Sequence, residues 1–259
     1  MKDDHVSSRR PEATGTAGRV RTIIAVAALF VLGALLVAAM GSVFTPGGES
    51  RRPLWLLLVP LILSIAGLVS GRFWARWLGL AIGIAVVPWA FVITFVPEPG
   101  LPVPAGAGAL AAAVALLAAL AGRRMAARYE GKVKSIDWFG PRMRWLGWTV
   151  IGNLASVLTL LLFVVAYRFR FAWHMGLLGA TMAGLIAGVV LVARQLTAGL
   201  LLLWLCCIAI IPVGAVFVMS EATGPGEALL FAAALLPGAL TGWATVFVFG
   251  RPLIRFLRS

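Results

Sequence analysis

Two prolines, one amide and a pair of thiols are the residues on which chemistry away from water could be built: Pro88 and Pro212, Asn153, and the adjacent Cys206 and Cys207. A proline inside a helix removes one backbone hydrogen bond and frees the carbonyl four residues earlier. In membrane transporters, paired interrupted helices at equivalent positions point to the central binding site. Pro88 follows Ile84-Ala85-Val86-Val87, and Pro212 follows Ile208-Ala209-Ile210-Ile211, 124 positions later. Trp89 stands beside the first proline, and Ser156 and Thr159 follow Asn153 at helical spacing. The candidate substrate contacts are therefore Pro88, Trp89, Asn153, Ser156, Cys206 and Pro212. Each has a plainer use. A proline can simply kink its helix, and an amide in lipid holds helices together at about 0.6–2 kcal/mol.

Catalysis and metal binding find no footing. His5 and His174 are far apart in sequence and the two cysteines are neighbours, so no metal set suggests itself. There is no Gly-rich phosphate loop, no H-E-x-x-H, no nucleophile elbow and no pair of carboxylates within an apolar run. The expectation is no catalytic residue, no metal and no cofactor. An enzyme would have to be assembled at an aqueous face, from the arginines, Glu130 and Asp137 of residues 122–144.

The elements that hold these residues are set by composition. Apolar residues make up 61% of the 259 positions and charged ones 12%, about half the usual charged share. Mean hydropathy is +1.01. Crossing a bilayer takes roughly 20 apolar residues as a helix. Eight runs meet or approach that length: about 22–44, 53–71, 77–97, 102–121, 146–167, 172–193, 197–220 and 227–249. The fold class expected is an all-α integral membrane protein with eight transmembrane helices, because only helices or closed barrels satisfy backbone groups in lipid.

Charge sets the orientation. Of the 22 Lys and Arg residues, 18 fall on the side of the two termini. The positive-inside rule then places both termini in the cytoplasm. The net charge of +13 is accounted for by this bias and calls for no nucleic acid. Arg outnumbers Lys 19 to 3, a composition of high-GC bacteria, so the expected location is the bacterial plasma membrane.

The proline echo extends outward. Ile65-Ala66-Gly67 matches Ile186-Ala187-Gly188, Thr22-Ile23-Ile24 matches Thr149-Val150-Ile151, and Arg124 and Arg128 match Arg251 and Arg255. Matches in this order predict a duplicated, parallel 4+4 repeat. Residues 1–21 form a disordered cytoplasmic tail, 22–121 a first four-helix half, 122–144 a basic linker, 145–250 the second half and 251–259 a basic tail. Arg124 and Arg128, like Arg251 and Arg255, lie one helical turn apart and are expected to extend membrane helices into the headgroup layer. With Arg123, Lys132, Lys134, Arg142 and Arg144 they form a surface for anionic lipid headgroups, worth about 1 kcal/mol per basic residue.

Two functions fit this outline. One is a permease or facilitator for an uncharged or lipid-like solute, its two halves rocking about the proline-marked centre; without a nucleotide site, any power would come from a separate ATPase. The other is a non-transporting scaffold, sensor or assembly subunit that binds a partner membrane protein. A polar cavity between the halves favours the first, a dry centre the second.

Overall fold

The computed structural model describes residues 14–43, 54–95, 103–130, 143–166, 173–194, 196–221, 236–240, 243–244 and 246–251. Among these residues there is no strand. The helices are α1 (Thr14–Val43), α2 (Leu58–Val69, preceded by a 3₁₀ turn at Leu54–Leu57), α3 (Phe73–Phe95), α4 (Val103–Leu120), α5 (Arg123–Glu130), α6 (Met143–Ala166), α7 (Trp173–Ala193) and α8 (Thr197–Glu221). Residues 236–240, 243–244 and 246–251 are also helical.

The structure supports an all-α, multi-pass membrane fold. Among the described residues five helices are long and apolar enough to cross a bilayer: α1, α3, α6, α7 and α8. A sixth crossing arises only if α4 and α5, bent by 73°, count as one broken span. The expected second span is the shorter α2, of 12 residues, and the eighth run is described only in part.

Burial ranks the helices. In the membrane-length stretch of α6, 72% of residues are buried, against 22% in α1 and 28% in α7. α6 is the axis, and α1 and α7 are outer helices whose apolar side chains face outward. α1 packs on α2 and α4, and α3 packs on the same two, which closes a ring of four helices. α6 docks on α3, and α7 and α8 form a tight antiparallel pair.

Small residues let these backbones approach. A Cβ on Gly79 would stand 2.5 Å from Leu120 Cδ1, and one on Gly83 would stand 2.7 Å from Leu117 Cδ2. In the same way Gly184 faces Cys206 and Gly188 faces Leu203. The glycines four apart in α3 and α7 are therefore used within the chain, between successive helices.

Two expectations need correction. Of the tail assigned to 1–21, the described part, from Thr14 onward, is the first part of α1, which packs against α5. Arg124 and Arg128 do not extend the preceding membrane helix. α4 stops at Leu120, Gly122 adopts φ +95°, a conformation costly for any residue with a Cβ, and the chain departs at 73° as α5. Lys132, Lys134, Asp137, Arg142 and Arg255 lie outside the described residues. Arg144 is in α6, where its side chain is not described.

Candidate functional site

Two groups of polar residues stand out in the bundle, one at its centre and one at its end. The central group grows from one face of α6. Thr149 Oγ1 donates to Trp145 O (2.9 Å) and Thr159 Oγ1 to Ala155 O (2.8 Å), so both hydroxyls are bonded within their own helix. Asn153 Nδ2 donates to Thr149 O (2.8 Å) in the same manner, which leaves Oδ1 aimed across the interface. There it accepts the Cys207 thiol of α8 at 3.1 Å. One turn along, Ser156 Oγ accepts the backbone N–H of Gly238 at 2.8 Å.

A Cβ on Gly238 would meet Ser156 Oγ at 2.8 Å and Asn153 Oδ1 at 3.5 Å. Asn153, Ser156 and Cys207 are all buried. The node ties α6, α8 and the 236–240 segment together, and its members bond to one another.

The sequence candidates do not converge there as a set. Asn153 and Ser156 are present, but the thiol that reaches them belongs to Cys207; Cys206 packs toward Gly184 of α7. Neighbouring positions on a helix point about 100° apart, so spacing alone could not choose between the two. Pro88 and Trp89 are half-buried within α3. Pro212 is exposed, on the outer stripe of α8 with Leu205, Ile208 and Ile211, whereas Cys207, Ile210 and Val213 form the inner stripe. Each proline interrupts its own helix, Pro88 half-buried in α3 and Pro212 exposed on α8.

The second group caps the end of the bundle where α1, α3 and α6 begin and α2 and α4 finish. The last carbonyls of a helix lack intrahelical donors, and here arginines supply them. Arg76 Nε donates to Leu120 O (3.0 Å) and Arg21 Nη1 to Ala121 O (3.3 Å). Arg76 is buried in the first turn of α3. α2 ends in a glycine cap, with Gly71 at φ +68°, Arg72 N–H on Gly67 O (2.8 Å) and Gly71 N–H on Leu68 O (3.2 Å).

α5 lies across these ends, burying Met125 and Tyr129 and exposing Arg123, Arg124 and Arg128. Tyr129 is its anchor. Its hydroxyl donates to Leu68 O of α2 (3.1 Å) and shares a hydrogen bond with Thr22 Oγ1 of α1 (3.1 Å). The Arg128 guanidinium sits 6.0 Å from the Tyr129 ring centroid.

Between α3, α5 and α6 the elbow leaves a cleft of about 200 Å³. Arg76 and Trp77 line it from α3, Gly122, Arg123 and Ala126 from the elbow, and Gly147, Trp148 and Ile151 from α6. Trp77 is locked by an edge-on contact with Phe73, ring centroids 5.3 Å apart. No family model, curated protein or solved structure matches this chain. The functional reading therefore rests on these two constellations.

Sequence reasoning placed Arg123 in a basic surface, but gave Arg76 only a place in the loop 72–76 and Tyr129 only a place among the linker's aromatics. Arg76 read as loop because charge ends an apolar run. Its burial follows from the long aliphatic stem, which lets a guanidinium sit at a helix end near the interface. Gly122, set between an alanine-rich run and Arg123-Arg124, was the available signal for the break.

Proposed function

We propose that this protein is a non-transporting component of the bacterial plasma membrane, a scaffold or assembly subunit that holds a partner membrane protein, with both termini in the cytoplasm. The observation that carries this reading is the closed node on α6. A solute site needs polar groups directed at a cavity, and here Asn153 and Ser156 are bonded to α8 and to Gly238. The cleft lined by Arg76 and Arg123 lies at the bundle end and includes none of the proline-flanking residues.

Helix packing supports the same conclusion. If the two halves were related by a twofold axis, the α3–α6 interface would recur between α1 and α8. Among the described residues those two helices share no comparably extensive contact. The interface that does exist is tight, with Gly147 seated on the Trp77 indole and a Cβ there only 3.1 Å from Nε1.

The duplication itself keeps some support: α1 packs on α4, and its counterpart α6 meets the last run through Ser156 and Gly238. A copied architecture is compatible with a fixed assembly. It does not require alternating access.

The test is whether the lobes move. Spin labels on the exposed positions Ser70 (Ser70→Cys) and Arg194 (Arg194→Cys), one in each lobe, report their separation by double electron–electron resonance in nanodiscs. A single narrow distance distribution, unchanged by lipid composition or pH, is the expected result. Two resolved populations would restore the rocking permease.

A further inference from the structure

We propose that the cleft between α3, α5 and α6 binds the phosphate of an anionic membrane lipid. Charge is the starting point. Arg76 of α3 and Arg123 of α5 both line the cleft, and Arg21 of α1 reaches the same elbow through Ala121 O. Guanidiniums from three helices therefore meet at this elbow. Concentrating like charge opposes folding, and a bound anion relieves it. Arginine suits phosphate because its planar fork makes paired, charge-assisted hydrogen bonds.

The backbone adds to this. Gly122 O accepts the Ala126 N–H (3.1 Å) as the opening bond of α5, so the three N–H groups between them have no helical acceptor. They lie at the positive end of the helix dipole, beside Arg123, where phosphate groups commonly bind. The cleft volume of about 200 Å³ is well above what a single water needs. That is room for a phosphate group.

Position selects a lipid over a soluble anion. α5 turns 73° from α4, so wherever α4 spans the bilayer, α5 lies close to the membrane plane. Trp145 and Trp148, 53% and 55% exposed, begin α6 at the same level, the depth at which indoles collect in membrane proteins. Trp148 borders the cleft, so a lipid leaving it would pass from arginine to indole to hydrocarbon. The site is the same whether the lobes are fixed or rock, so the spin-label experiment and the one below are read separately.

The full chain is titrated in detergent with phosphatidylglycerol or phosphatidylcholine and bound lipid is counted by native mass spectrometry. One phosphatidylglycerol is expected to remain on each protein under conditions that strip phosphatidylcholine. Arg123→Gln removes an exposed side chain without disturbing the core and should weaken retention about tenfold, the value of one charge-assisted contact. Ala126→Leu fills the cleft without changing charge and should do the same. Arg194→Gln removes a cation at the same end of the bundle but outside the cleft, and should leave retention intact.

Equal retention of the two lipids would overturn the proposal. So would an Arg194→Gln effect as large as that of Arg123→Gln, which would signify a diffuse field rather than a site. Displacement of the lipid by inorganic phosphate at matched concentration would assign the cleft to a soluble anion and overturn the lipid assignment.

Discussion

Gly199→Ala is expected to destabilise the protein by about 3 kcal/mol, at the upper end of the usual overpacking range. A single methyl has this effect because of what it strikes. The new Cβ would lie 2.5 Å from Val192 N, 2.7 Å from Leu191 Cβ and 2.8 Å from Leu191 C. Most of these are backbone atoms of the preceding helix, which cannot rotate away as a side chain can.

The turn between α7 and α8 would have to open, and the packing of Gly184 and Gly188 against Cys206 and Leu203 would open with it. Gly176→Ala is the matched control, since nothing lies within 4 Å of a Cβ at that outward position. Unfolding in mixed micelles should show a large loss of stability for the first variant and little change for the second. Equal behaviour would mean that α7 and α8 do not pack as described.

Tyr129→Ala is expected to destabilise by about 3–5 kcal/mol, the range for truncating a buried aromatic side chain. Tyr129 is 2% exposed, and its hydroxyl joins α5 to α1 and α2 at once. Without it the exposed, arginine-rich helix keeps only Met125 as a buried anchor. Limited trypsin digestion should then cut at Arg124 and Arg128 much faster than in the parent protein. Tyr129→Phe separates the two contributions. It keeps the ring and loses only the hydroxyl, so about 1–2 kcal/mol is expected. If Tyr129→Phe were as damaging as Tyr129→Ala, the hydrogen bonds rather than the buried ring would hold α5 down.

These residues show where sequence reasoning reaches and where it stops. The positions of α3, α6, α7 and α8 were legible because unbroken apolar runs of helical length have one stable form in hydrocarbon. The elbow was not. Arg123-Arg124-Met125-Ala126-Ala127-Arg128 has good helix formers throughout, so nothing in its propensity marks a separate helix. The break depends on the backbone of one residue, Gly122, and on the two arginines, Arg21 and Arg76, that complete the end of α4 from elsewhere in the chain.

The central polar residues were legible by type, and their partners were not. Asn153 and Ser156 were recognisable as the polar face of a membrane helix. Which thiol meets them, and that Pro212 faces outward, depend on the rotation of α8 about its own axis. An apolar run of near-uniform composition does not encode that rotation, because every face of it is suitable for lipid.

The central claim is that the polar groups at the heart of the bundle are sealed from water and spent on joining helices. Cys207 and Cys206, the chain's two cysteines, report on this directly. Native membranes are treated with a charged, membrane-impermeant methanethiosulfonate, first intact and then after denaturation in SDS, and modification is counted by mass. The account predicts no modification before denaturation and two modified thiols after it. Modification of Cys207 in the folded protein would place water at Asn153 and contradict the closed core.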